Sequence, residues 1–214
     1  MTCIRHIPRA LGRAVRAYLR DTSGGVLVEF ALVVSLFLFL FAALLDFGRL
    51  SYSGVTAQSA AQIAARLAIV RPAACPGVPD RHQRGTNTAL RYGTSCSAAS
   101  GVCASVATVT CTGAATNATA SEIWDRINPL LPVNATIDMM QFSYSFDPKL
   151  GFLGGPYTPM VTVELNLNDF QFASPLAALA NAAGATNSAL PSSAAYSSFS
   201  VSLPAEDLAQ GESG

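Results

Sequence analysis

From Val26 to Leu45 the chain has twenty residues, all apolar or small except one charge, Glu29. At about 1.5 Å of rise per residue, a helix of that length covers roughly 30 Å of hydrocarbon, so the run predicts one membrane-crossing helix. The pattern then changes. Ala57, Ala60, Ala61, Ala64, Ala65 and Ala68 recur at helical spacing, which extends the helix beyond the apolar run and puts small side chains on one face. Such a face suits either a stable stalk or close approach by another helix. Pro72, Pro76 and Pro79 end the helix near Val70.

Beyond Pro72 the hydrophobic signal thins. Residues 71–120 are rich in Pro, Gly, Ser, Thr and Ala, and Val106 to Thr110 are compatible with one short strand. From Ser121, a plausible N-cap, Ile123, Trp124, Ile127, Leu130 and Leu131 mark the apolar face of a short helix closed by Pro132. Two alternating segments follow. Met140, Phe142, Tyr144 and Phe146 form one, and Val161, Val163, Leu165 and Leu167 form the other, with turn-forming Asp147-Pro148 and Gly154-Gly155-Pro156 between them. They predict an antiparallel hairpin packed on the short helix. After Ser174 the composition relaxes into Ala, Ser, Asn and Gly, which predicts a mobile tail with at most a turn or two of helix at Leu176 to Ala183.

The fold class expected is α+β: a long N-terminal helix, part transmembrane and part stalk, followed by a small disulfide-supported head. The boundaries expected are a basic leader over 1–24, the helix over 25–70, the head over 71–174 and a flexible tail over 175–214. Charge supplies the orientation. Arg5, Arg9, Arg13, Arg16 and Arg20 precede the apolar run, whereas only Arg49 closely follows it, so the N-terminus is expected in the cytoplasm and the head across the membrane. Four of these arginines, from Arg9 to Arg20, lie at helical spacing and suit a basic helix on anionic headgroups. A cleaved secretory signal fits less well, because the run is long and exits through Leu45-Asp46-Phe47-Gly48-Arg49 with no A-x-A site.

The formal net charge of zero conceals an asymmetry. Residues 1–24 hold five arginines and one acid; from Gly25 onward the remaining eight basic and twelve acidic residues leave −4. A mildly acidic head disfavours nucleic acid as a partner. Cysteine placement agrees with export, since Cys3 lies in the leader while Cys75, Cys96, Cys103 and Cys111 all follow the apolar run. Two disulfides are expected, and three pairings are open. Zinc is less favoured because the four contain no C-x-x-C pair and His82 is the only histidine near them.

Catalytic constellations are not visible: the histidines are His6 and His82, and no nucleophile elbow, Walker loop or metalloprotease pair occurs. Neither catalysis nor a cofactor is expected. Asn117-Ala118-Thr119 and Asn134-Ala135-Thr136 match the glycosylation sequon, a pattern that arises easily by chance in a Thr-rich chain. Glu29 needs a reason, because an acid in a membrane helix is costly, although its place near one end softens the penalty. One reading is a glutamate reaching the headgroups.

The other reading starts from Gly24, Gly25, Glu29 and Phe30, which resemble the prepilin-peptidase motif of type IV pilins, with glycine at −1 and glutamate at +5. The wider stretch, Gly25 to Leu32, Leu45 to Arg49 and Gln58 to Arg66, resembles the N-terminal helix of TadE-like pseudopilins. That resemblance implies a minor component of the tight-adherence system that builds Flp-type pili. It implies processing at Gly24–Gly25 by a prepilin peptidase, a guiding role for Glu29 and Phe30 in assembly, and membrane lipid, other pilins and the tight-adherence machinery as partners. The length of the exported part suits a pseudopilin that primes, caps or anchors better than a main filament subunit. The competing expectation is an uncleaved single-pass envelope protein whose head binds a ligand or protein.

Overall fold

An apolar run without proline favours one uninterrupted helix, and in a computed structural model of the chain α1 extends over Gly25–Ala68, 44 residues. The structure describes residues 24–173, 193–206 and Leu208. The leader's arginines and the segment Leu176 to Ala183 lie outside the described residues. Contacts divide the chain into two units after Asp46. In the first, the side chains from Val26 to Leu45 are largely exposed: Leu27 is 72% accessible, Phe37 62% and Leu44 70%. Among the described residues no protein core covers them, and α1 is long and apolar enough to cross a bilayer.

The second unit is the head, and it contains the remainder of α1. Strand β1 is Val109–Thr112, helix α2 is Ala118–Ile127, and β2 and β3 are Met140–Ser145 and Met160–Leu165. A short pair, β4 Phe170–Gln171 and β5 Ser193–Ala194, precedes β6 Phe199–Pro204. The main sheet has the order β1-β2-β3-β6, and every pairing is antiparallel. The hairpin of β2 and β3 pairs Phe142 with Val163 and Tyr144 with Val161. Period-two alternation sends Met140, Phe142, Tyr144, Val161, Val163 and Leu165 to one buried face, and leaves Gln141, Ser143, Thr162 and Glu164 on the other.

That buried face joins Ile123 and Ile127 of α2 and Ala60, Ala61, Ala64, Ala65 and Ala68 of α1 in one core. The alanine strip is therefore neither an open stalk face nor a surface for a second subunit, because the head consumes it. Small side chains let the helix backbone approach the large residues of the same core, Phe142, Tyr144 and Tyr157. The part of α1 expected as a stalk is thus a core helix of the head.

Two further expectations are corrected. Helix α2 begins after Asn117, not after Ser121: the Asn117 side chain accepts a hydrogen bond from the Ala120 N–H at 2.9 Å, and Ser121 lies inside the helix. Asn117 satisfies one of the amides that a helix N-terminus leaves unpaired, so its carboxamide is a cap within the first sequon. The helix closes through a 3-10 turn, Asn128–Leu130, ahead of Pro132. The mobile tail is corrected over 193–206. There Phe199, Val201 and Leu203 alternate with serines, and the segment pairs along the whole of β3 as the sheet's edge strand. Its end is held by Ala205 N–H to the Pro159 carbonyl at 2.8 Å and Glu206 N–H to the Ile69 carbonyl at 3.1 Å.

Candidate functional site

Three places in the molecule carry chemistry that the fold does not use up. The first is the start of α1. Gly24 forms the turn that opens the helix, and its carbonyl accepts from the Val28 N–H at 3.2 Å. Gly25, Glu29 and Phe30 are all exposed. A helix brings residues 25 and 29 to the same side, one turn apart. A side chain built at Gly24 or Gly25 would meet nothing within 4 Å, so packing among the described residues does not demand glycine there.

The second is an aromatic group within the head. Phe170 and Phe172 lie edge to face at 5.5 Å between ring centres, Phe47 packs on Phe172 at 5.8 Å, and the Arg49 guanidinium sits 5.6 Å from the Phe170 ring centre. The Tyr196 hydroxyl donates to Ser53 Oγ at 2.9 Å. Arg49, Ser53, Phe170 and Tyr196, with Tyr52 and Leu130 to Asn134, line a cleft of about 570 Å³.

The third surrounds the cysteines. Of the three possible pairings the structure forms Cys75–Cys111 and Cys96–Cys103, at sequence separations of 36 and 7. Cys75–Cys111 ties the segment after α1 to β1 and lies within or against the main core. The chain-entropy relation gives about 3.8 kcal/mol for this longer loop and about 2.4 kcal/mol for the shorter one. Cys96 and Cys103 belong to a second, smaller apolar cluster with Val102 and Leu153, flanked by Leu90 and Phe146. Its loops are laced to the β2–β3 connection by backbone bonds: His82 N–H to Gly155, Gly154 N–H back to His82, and Cys96 N–H to Gly151.

His82 sits in this lobe and is only 3% exposed. Its Nε2 lies 3.0 Å from Thr158 Oγ1 and 3.2 Å from the Thr158 amide nitrogen, while Nδ1 is buried without a hydrogen-bond partner among the described residues. Tyr157 and Phe146 pack on the ring, at 5.0 and 6.1 Å between centres. Gly151, at φ +74°, passes so close to the ring that any side chain there would collide with it. Spacing along the chain did not show that His82 and the Cys96–Cys103 pair meet. A ring nitrogen of His82 and the two sulfurs all lie within 4.8 Å of one another.

Burial lowers the His82 pKa below its ordinary value of 6.5. The folded head therefore favours neutral imidazole, and this stability is fully present above pH 6.5 and is lost as pH falls through the depressed folded value. Denaturant midpoints measured between about pH 7 and pH 5 are expected to fall, by at most about 1.4 kcal/mol per pH unit for this group. The His82→Gln variant is expected to be flatter over that range. An equally steep profile in the variant would assign the pH dependence to another group.

Comparison with known proteins adds one finding on the first of these places. The search of curated proteins and the search of solved structures each return no match. The family model described as TadE-like protein matches residues 24–66, the segment that opens at Gly24 and runs through most of α1. Beyond that match lie β1 to β6, both disulfides and His82. The long helix of this protein, over residues 24–66, is thus the part of the chain that is similar to TadE-like proteins.

Proposed function

We propose that the protein is a minor pseudopilin of the tight-adherence, Flp-type pilus system, acting by helix packing and head contacts and catalysing no reaction. The observation that carries this reading is the TadE-like match beginning at Gly24, on a helix whose apolar half has no protein core to cover it. In this reading α1 spans the cytoplasmic membrane once from Val26 to Leu45, with the five arginines of residues 1–24 held inside. The head then faces an oxidising compartment, which suits its two disulfides.

A prepilin peptidase cuts between Gly24 and Gly25. The exposed turn at the helix start, where both residues lack side chains, supports access to that bond. Cleavage leaves an α-ammonium on Gly25. Glu29 is one turn further on, about 6 Å along the axis, and pairs with that charge in its own chain or in a neighbouring pilin helix. Removing water from the pair strengthens the attraction, so Glu29 gains a partner at the point of assembly.

The experiment is the intact mass and N-terminal sequence of the protein from membranes made with and without the cognate prepilin peptidase. Loss of the 24-residue leader only when the peptidase is present is the expected result. A chain starting at Met1 in both preparations would sink the processing step and favour the uncleaved envelope anchor.

A further inference from the structure

The aromatic cleft of the head begins where the apolar run of α1 ends. Phe47 and Arg49 follow Leu45 by two and four residues on the same helix, about 3 and 6 Å of rise, and the headgroup layer on each side of a bilayer is roughly 5–8 Å thick. Helical side chains lean toward the N-terminus of their helix, so Arg49, Tyr52 and Ser53 lean back toward that layer. Later parts of the chain are held to these residues, Phe170 by Arg49, Phe172 by Phe47 and Tyr196 by Ser53. Phe47 and Tyr52 are largely exposed, and Val133, on the cleft's apolar wall with Leu130, Leu131 and Pro132, is fully so. Aromatic and apolar side chains thus gather, uncovered, at the depth where aromatic residues settle in a membrane interface.

We propose, on the reading that α1 spans the membrane, that this cleft holds the headgroup of a zwitterionic phospholipid from that same membrane and so seats the head on the bilayer. Charge names the headgroup. The charged residues lining the cleft are Arg49 and Asp169, one of each sign and both exposed. Arg49 suits the phosphate, which a guanidinium meets with paired N–H donors, and the Phe170 ring orients the side chain. Asp169 suits the ammonium, to which the ring faces of Tyr52 and Tyr196 add attraction. A purely anionic headgroup would set its charge against Asp169 with nothing to offset it. The −4 charge from Gly25 onward likewise gives the exported part no general pull toward an anionic surface. The wall from Leu130 to Val133 receives the glycerol and the first methylenes, and about 570 Å³ is within the range of sites that enclose ligands of headgroup size.

The test places a photoreactive benzophenone residue at Val133 of the full-length protein, reconstituted in vesicles of equal parts phosphatidylethanolamine and phosphatidylglycerol, and identifies lipid adducts by mass. A label at Phe37, inside the apolar run, reports whether α1 lies in the bilayer. A label at Tyr92, exposed but outside the cleft, reports chance encounter. The expected result is adducts at Phe37 and Val133 and none at Tyr92. Relative to the ratio captured at Phe37, phosphatidylethanolamine is expected to be favoured at Val133 by roughly two- to fivefold, the range that one exposed ion pair supplies.

Asp169→Asn is expected to abolish that preference, and Arg49→Gln to lower the yield at Val133 while leaving the yield at Phe37 unchanged. Adducts at Phe37 without adducts at Val133 would overturn the lipid site and leave α1 in the membrane. Absence of adducts at both would overturn the membrane reading and the site with it. Equal capture of the two lipids, or a preference that survives Asp169→Asn, would overturn the zwitterionic headgroup.

Discussion

Truncating Phe142 to alanine is expected to remove about 3–5 kcal/mol of the head's stability. Phe142 is fully buried on β2, an interior strand, where it faces Cys111 across one pairing and Val163 across the other. Its ring belongs to the same core as Ile123, Ile127 and the alanines of α1. Neighbours set by a four-stranded sheet and two helices cannot collapse into the space the ring leaves, so both the transfer and the cavity costs should appear in full. At about 1.4 kcal/mol per factor of ten, the folded population relative to unfolded falls by roughly a hundredfold to several thousandfold. Guanidinium unfolding of the full chain in mild detergent, followed by tyrosine fluorescence, measures it. A loss under about 1 kcal/mol would mean that the sheet does not pack on α1 as described.

Replacing Cys75 and Cys111 together by serine is expected to cost about 3.8 kcal/mol from loop entropy alone, against about 2.4 kcal/mol for replacing Cys96 and Cys103. The order matters more than either value, because it rests on the loop lengths of 36 and 7 residues. Burial does not alter the order, because Cys75 and Cys96 are each 4% exposed and a serine hydroxyl loses water at either position. The paired replacement is the cleaner test, since a single serine leaves a thiol free to exchange. Melting temperatures of the two double variants, with and without phosphine, settle the comparison. Equal losses would show that the denatured chain, and not loop length, sets the effect.

If the Cys75–Cys111 bridge holds the main core, loss of the Cys96–Cys103 bond is expected to leave the sheet folded. The salt bridge of Arg71 with Glu122, at 2.9 Å with both side chains more than a third exposed, adds little to either ledger.

The elements that the sequence foretold share one property: their signal is local. The alternation from Met140 to Phe146 and from Val161 to Leu167, the apolar run after Gly25 and the proline stop near Val70 can each be read in a window shorter than the element itself. The same holds for Gly24, Gly25 and Glu29, whose spacing is complete within six residues. Strand β6 was legible in principle. Phe199-Ser200-Val201-Ser202-Leu203 alternates as cleanly as β3, but its serines resembled the low-complexity stretch before it. The cap of α2 was misplaced because Asn117 and Ser121 are both good N-cap residues, and only the packing of Ile123 and Ile127 on the sheet sets where the helix starts.

What the sequence by itself determined is a helix long and apolar enough for a bilayer, an α+β head behind it, and four cysteines that all follow that helix. Tertiary structure decided which cysteines pair, because pairing needs two backbones brought to about 5–6 Å and no spacing encodes that. It also turned the alanine strip inward, since a helix face of small residues is equally suited to a partner or to its own sheet until the sheet arrives. His82 shows the same limit: its neighbours at Cys96, Cys103, Phe146 and Thr158 lie 14 to 76 residues away, joined only when the β2–β3 connection folds against the loop that carries it.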